Sequence, residues 1–243
     1  ACVEFTIESQ TLLSMQNLAH KLFPSVSIER VWHEFQKAHK LSKLPQMCLI
    51  MLQTPLFFTV FPSLSNLSLE LEDKIKSLKN FHSEFPMSIF FSLLSNSCSI
   101  EETRLFFERF KASKKEQRVA LAYLRFKNSL HDYLTKKDKS LIHLLQSCIE
   151  DEAEQFFKLY ALDISDPSFL EKNAPLLSRL DPHINAYKKN KPWVSPQDLI
   201  HQGIPQGPKI GSLLIEAQRI AIDENLTLKE SIIEKLKKSP TWN

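Results

Sequence analysis

The sequence predicts an all-α protein, and three observations support this prediction. Apolar residues recur at intervals of three and four positions along almost the whole chain, which is the period of helices with one buried face. The 243 residues include only three glycines but 13 prolines, and hairpins and crossovers need glycine far more than capped helices do. Segments with strand character are few. We therefore expect a multi-helical chain.

Four apolar stripes show the helical period. They are Leu12, Met15, Ala19 and Leu22; Ile28, Val31, Phe35 and Ala38; Val119, Tyr123, Phe126 and Leu130; and Ile149, Ala153, Phe156 and Tyr160. Three capping boxes predict helix starts, because their hydroxyl can accept the N3 amide hydrogen bond: SIEE at 99–102, SKKE at 113–116 and TLKE at 227–230. Only VEFTI at 3–7 and LFFTVF at 56–61 have strand character, and the second lies between prolines.

All the glycines fall in one stretch, HQGIPQGPKIGS at 201–212; they are Gly203, Gly207 and Gly211. Ser195 and Pro196 predict the start of a short helix, which Gly203 is placed to end in the left-handed conformation. Gly207 and Pro208 repeat the start signal, and we expect Gly211 to permit close backbone approach. The spacing fits neither a Walker loop nor a dinucleotide fingerprint. The stretch therefore predicts a helix–turn–helix unit that offers a phosphate group at most an amide or two.

Composition argues against membrane-spanning and secreted classes of protein. No long uncharged apolar run and no basic segment followed by an apolar signal core occurs, so we expect a soluble protein that is not secreted. The four cysteines stand far apart with no C-x-x-C pair, which favours a reducing compartment, and we expect the cytoplasm. The chain does not begin with Met, and we expect it to be a fragment of something longer.

The net charge of +3 is small, but the basic residues are clustered. Three clusters lie beside predicted helix ends: Lys111, Lys114, Lys115 and Arg118; Lys136, Lys137 and Lys139; and Lys188, Lys189 and Lys191. Each alone is consistent with a solvated face or with a helix terminus that meets its dipole. Together they favour a polyanionic partner.

Several polar groups resemble catalytic or metal sites without fitting them. In HEFQKAH at 33–39 the second histidine is six positions after the first, not four as a zinc-binding H-E-x-x-H helix requires. His131 and Asp132 are interpreted as a polar pair near a helix end, although a metal-dependent phosphohydrolase motif has the same two residues. Acidic residues at 150–154 are interpreted as complements to a helix dipole. We expect no metal site and no catalytic residue in this chain.

The C-terminal segment KPWVSPQDLIHQGIPQGPKIGSLLIEAQRIAIDENLTLKESI resembles the tail of class II tRNA nucleotidyltransferases and bacterial poly(A) polymerases. The residues that match this signature are Asp198, Leu199, Gly203, Gly207, Pro208, Ile210, Gly211 and Leu214. The N-terminal segment is similar to the family's neck, where the motif is Ser27, Glu29, Arg30, Glu34 and Phe35. LPQMCLIMLQTPLFFTVFPSL and RFKASKKEQRVALAYL resemble later family segments, so the likeness covers nearly the whole chain.

This resemblance implies an elongated arrangement with a neck at 1–66, a body at 67–165 and a tail at 166–243. The catalytic head, with its Gly-Ser element, its Asp-x-Asp pair, Mg²⁺ and CTP or ATP, is missing from this sequence. The implied function is tRNA binding in an enzyme that adds nucleotides to RNA 3′ ends, by CCA addition or poly(A) synthesis, and the chain alone is expected to be inactive. A separate head is an expected partner. An inactive headless relative that serves as a helical RNA- or protein-binding scaffold is the alternative.

The resemblance also implies roles for particular residues. Glu29, Arg30 and Glu34 are expected to brace the neck helix beside the nucleotide pocket, and Arg30 and Glu34, four positions apart, are expected to form an ion pair. The candidates for RNA contact are Lys111, Lys114, Lys115, Arg118, Lys188, Lys189, Lys191 and Lys209. Their contacts should be with phosphates and with the shape of A-form RNA, and should weaken with salt.

Overall fold

The computed structural model describes residues 7–95, 99–135, 141–147 and 153–242. These ranges contain sixteen α-helices, two 3₁₀ helices and no strand, so the all-α prediction is confirmed for the described part of the chain. The α-helices are α1 Ser9–Leu18, α2 Leu22–Ser25, α3 Ile28–Lys40, α4 Leu44–Leu52, α5 Leu56–Val60, α6 Ser68–Ser77, α7 Met87–Leu94, α8 Ile100–Arg109, α9 Lys114–Thr135, α10 Ile142–Ser147, α11 Ala153–Asp163, α12 Phe169–Lys172, α13 Ala174–Lys188, α14 Pro196–His201, α15 Pro208–Asp223 and α16 Lys229–Leu236.

The β-prone segment at 56–61 forms helix α5. Phe57 and Val60, three positions apart, are both buried, and Phe61 follows as a third buried side chain. Tertiary burial of these side chains at helical spacing outweighs their intrinsic preference for strands. Most of the other segment with strand character, 3–7, lies outside the described residues.

The chain divides into two compact units. Unit 1 comprises Ala1–Leu124 and Leu159–Asp166, and unit 2 comprises Arg125–Lys158 and Pro167–Asn243. Two of the three boundaries fall within α9 and α11, and the third lies between α11 and α12. The expected division into neck, body and tail stays a prediction.

Unit 1 has an aromatic core. The ring of Trp32 lies 5.2 Å from that of Phe91 and 5.3 Å from that of Phe110, and the Phe61 ring lies 5.2 Å from both phenylalanines. At these separations, aromatic pairs contribute stabilisation in addition to that from burying their apolar area. Helix α7, with the sequence MSIFFSLL, is buried along its whole length. Large rings therefore fix how α3, α7 and α8 meet.

Two of the three expected capping boxes are confirmed. Ser99 and Glu102 exchange hydrogen bonds at the start of α8, and Ser113 and Glu116 do so before α9. The third prediction is wrong, because Leu228 and not Thr227 occupies the N-cap of α16 and no side chain caps it. The Ile232 amide bonds the Leu228 carbonyl at 3.1 Å, so the helix begins one residue later than the TLKE pattern requires.

Unit 2 has an aliphatic core around α14, α15 and α16. Its buried members are Val194, Leu199, Ile204, Ile210, Leu213, Ala217, Ile220, Ala221, Ile232, Ile233 and Leu236. Arg179 of α13 closes the C-terminal end of α15, where its Nε donates to the Ile222 carbonyl at 3.1 Å and its Nη2 donates to the carbonyls of Ile222 and Asp223. A cation at this end also complements the helix dipole.

The glycine stretch forms the expected turn between α14 and α15. Gly203 has a φ of +89°, and the Gly203 and Ile204 amides donate to the carbonyls of Ile200 and Leu199, which is a Schellman motif. Gly207 is the N-cap of α15 and Pro208 its first residue, as expected. The expectation for Gly211 is wrong, because this residue is exposed and a Cβ added to it would meet nothing within 4 Å.

Candidate RNA interface

The neck motif lies at the start of α3. The Ser27 hydroxyl caps the helix by accepting from the Arg30 amide at 3.3 Å. Glu29 pairs with Lys111, which lies in the turn before α9, and this hydrogen bond lowers the pKa of the Glu29 carboxyl. The neck motif and the first basic cluster are therefore joined by a direct contact within unit 1.

The prediction that Arg30 and Glu34 form an ion pair is wrong. Glu34 binds Lys37 instead, with 2.8 Å between Oε1 and Nζ, and this hydrogen bond lowers the pKa of Glu34. A glutamate that precedes its cation along a helix is better oriented relative to the helix dipole than one that follows it. Arg30 is exposed, and its guanidinium forms no ion pair within the part of the chain that the structure describes.

Glu116 joins α3 to the start of α9. Its Oε1 accepts from Trp32 Nε1 at 3.3 Å and from Gln36 Nε2 at 3.2 Å, while its Oε2 accepts from the Ser113 amide at 2.8 Å. One carboxylate thus caps α9 and fixes α3 against it. The S-x-x-E pattern indicated the cap, but nothing in the sequence indicated the two contacts with a helix 80 positions earlier.

The first basic cluster is carried on this junction. Lys111, Lys114, Lys115 and Arg118 are all exposed, within one short segment that contains the turn and the first turns of α9. Lys111 has a φ of +50°, and Glu29 and Glu116 anchor the segment to α3. The cluster is therefore a positioned group of cations rather than part of an unattached loop.

The remaining RNA-contact candidates lie in unit 2. Lys188, Lys189 and Lys191 are exposed at the C-terminal end of α13, and Lys209 is exposed in the first turn of α15. The Lys136–Lys139 cluster lies outside the described residues. At the start of α15, Gly207 has no side chain to cap the helix and Pro208 contributes no amide hydrogen.

Where the structure describes them, the polar groups that resembled metal sites do not converge. Among the described residues, no group of three or more histidine, cysteine, aspartate and glutamate side chains is arranged to hold a metal ion. Cys48 is buried, and burial raises the pKa of its thiol far above the ordinary value. His39 is half-buried beside the Phe81 ring, and burial lowers the pKa of its imidazole. The acidic side chains at 150–154 lie outside the described set.

The fold and this junction define a helical module with positioned cations. Residues 4–67 match the family model for the probable RNA and SrmB-binding site of polymerase A. This match supports a relationship to the poly(A) polymerase family and an RNA partner; it includes Glu29, Arg30 and Glu34 but ends before the lysine clusters. No curated protein and no solved structure matches the chain. Within the described ranges, no helix is both long enough and apolar enough to cross a membrane.

Proposed function

We propose that this chain is the tRNA-binding portion of an enzyme that adds nucleotides to RNA 3′ ends, related to tRNA nucleotidyltransferases and poly(A) polymerases. The observation that carries the proposal is the match of residues 4–67 to an RNA-binding region of polymerase A. The contact between Glu29 of this segment and Lys111 adds to it, because that contact fixes a basic cluster beside the matched helices.

The chemistry would belong to a catalytic head. Such a head would hold Mg²⁺, which neutralises charge on the triphosphate of CTP or ATP and activates the 3′ hydroxyl. This chain would hold the RNA, and we expect it to act in the cytoplasm. The groups that would touch the phosphates are the exposed side chains of Lys111, Lys114, Lys115 and Arg118, with further contacts from unit 2. Double-stranded RNA is recognised largely through its shape, its phosphates and its 2′ hydroxyls.

A titration of labelled tRNA tests the proposal. We expect tRNA to bind more tightly than a DNA duplex of similar length at the same salt concentration, because A-form geometry and the 2′ hydroxyl distinguish the two. The K114Q/K115Q variant should weaken tRNA binding several-fold through the loss of phosphate contacts. The K76Q/K79Q variant removes the same charge from the end of α6 and should bind nearly as well as the wild type.

An inactive headless relative that serves as a helical RNA- or protein-binding scaffold is the alternative. Its protein-binding form requires no RNA affinity, so the same titration separates that form from the proposed function. Absence of tRNA binding at low salt would favour the scaffold, and equal losses in the two lysine variants would show that only net charge matters.

A further inference from the structure

An apolar cavity of about 200 Å³ lies in unit 2, outside the segment that matches the RNA-binding family model. It is lined by residues of α13, by the loop that follows α13 and by the middle of α15, with Leu145 of α10 and Pro196 of α14. His183, Tyr187 and Trp193 supply rings to its wall, and none of its lining residues is an acid, a lysine or an arginine. A flat apolar group is the kind of ligand that such a wall accommodates.

Two of the rings are held in a fixed arrangement. Trp193 Nε1 donates to His183 Nδ1 at 3.0 Å, and the ring centroids are 5.9 Å apart in an edge-to-face geometry. Because an indole N–H is only a donor, Nδ1 must be the acceptor. Burial, followed by the nearby charge of Arg179, lowers the pKa of His183, which favours the neutral imidazole that this hydrogen bond requires. Trp193 also packs on the aliphatic core of unit 2.

The cavity also carries polar groups that are available to a ligand. Gln218 lines it, is half-buried, and makes no side-chain hydrogen bond to the residues that the structure describes. Tyr187 lines the cavity and is 46% exposed, so its aromatic side chain is partly accessible from solvent. An amide with both donor and acceptor atoms is suited to the edge of a nucleobase, and an exposed aromatic ring is suited to its face.

Two lysines lie in the loop beside this cavity. Tyr187 and Pro192 both line it, and the loop between them contains Lys189 and Lys191, which are exposed and form no ion pair within the described ranges. The loop is fixed by the bonds from the Asn190 amide to the Tyr187 carbonyl and from the Lys191 amide to the Ala186 carbonyl, both 2.9 Å. Two exposed cationic residues therefore lie in the short loop that joins two lining residues of the cavity.

We propose that this cavity takes one unpaired nucleobase of a bound RNA, with the flanking phosphates on Lys189 and Lys191. The inference rests on the proposed RNA-binding function and extends it to unit 2. A purely apolar peptide would use the rings but not the adjacent cations, and a bare anion would use the lysines but not the rings. An unpaired nucleotide uses both, because it joins a flat ring to a phosphate.

The test compares two labelled RNA hairpins that differ only in their single-stranded tail, which carries bases in one and abasic sites in the other. Ile215 lines the cavity and is 62% exposed, so the I215E variant places a carboxylate there without disturbing the core. Leu228 is 66% exposed and does not line the cavity, which makes L228E the matched control. The Y187A variant tests the stacking contact separately.

We expect the wild type to bind the base-bearing hairpin ~10-fold more tightly than the abasic one, the size of effect that one stacked base gives. I215E and Y187A should abolish this preference, and L228E should retain it. Equal binding of the two hairpins by the wild type, or retained preference in I215E and Y187A, would overturn the inference while leaving RNA binding intact. Failure of the wild type to bind either hairpin at low salt would instead contradict the proposed function, and the inference would fall with it.

Discussion

The two units each use the carboxylate of a capping box to join distant helices, but the partners of that carboxylate differ. In unit 1, Glu116 caps α9 and accepts from the neutral donors Trp32 and Gln36. In unit 2, Asp198 caps α14 through Ser195 and accepts from the ammonium group of Lys229 at 2.9 Å. The first junction joins its helices through hydrogen bonds from neutral donors, and the second joins its helices through an ion pair.

The Asp198 carboxyl of the unit 2 junction has a lowered pKa. The hydrogen bonds from Ser195, followed by that from Lys229, lower the pKa of Asp198 to about 2. The unit 2 junction should therefore weaken in acid. In unit 1, Glu116 and the contact between Glu29 and Lys111 hold the basic cluster before and within α9 against α3, which suits a surface that must present cations at fixed positions.

The largest effect should come from the E116A variant. It removes the carboxylate half of the capping box of α9 and leaves two donors without their acceptor, so the free energy of unfolding should fall by about 2–3 kcal/mol. E102A removes only the carboxylate half of the capping box of α8, because Glu102 forms no side-chain hydrogen bond with another helix in the described residues. Urea denaturation should show a smaller loss for E102A, and equal losses would mean that the contacts with α3 contribute nothing.

Acid should weaken unit 2 through Asp198. Its folded pKa of about 2 lies below the ordinary value of about 3.9, so its contribution is fully present above pH ~4 and is lost as the pH falls toward 2. With allowance for solvent screening, we expect a loss of about 1–2 kcal/mol over this window. The D198N variant should lack this component, and K229Q should retain most of it because Ser195 is the larger cause. An unchanged acid profile in D198N would refute this explanation.

Replacement of Gly203 and of Gly211 by alanine should change the stability of the protein in opposite directions. Gly203 has a φ of +89°, so G203A should destabilise the protein by about 1 kcal/mol. Gly211 lies in the exposed first turns of α15 with open space around its Cα, so G211A should stabilise it by about 0.5–1 kcal/mol. Thermal unfolding of both variants checks the pair. Destabilisation by G211A would contradict this expectation and would support the close backbone approach at Gly211 that the sequence predicted.

The sequence predicted the local features of the fold well and its long-range contacts poorly. Helical periodicity, the caps at Ser99 and Ser113 and the left-handed Gly203 depend on neighbouring residues, and all are confirmed. The contact between Glu116 and Trp32 depends on how two helices pack, which no local pattern encodes. The Arg30–Glu34 prediction failed because spacing alone cannot choose between competing cations on one helix.

In the candidate interface, too, the sequence indicated the local clusters but not the features that depend on packing. Clustering of lysines in the sequence indicated both basic surfaces, and their exposure agrees with that indication. The cavity beside Lys189 and Lys191 was not predicted, because its walls come from residues of separate helices, such as His183 and Ile215. Their individual positions are typical of ordinary helix faces, and only the packed structure brings them together.

The central claim is that the chain binds RNA, and a tRNA titration over a series of salt concentrations tests it most directly. We expect binding at low salt, with the logarithm of the association constant falling linearly as the logarithm of salt concentration rises. Each phosphate-contacting lysine that is replaced by glutamine should reduce this slope by about 1. Absence of binding at low salt, or an affinity that does not change with salt, would contradict the claim.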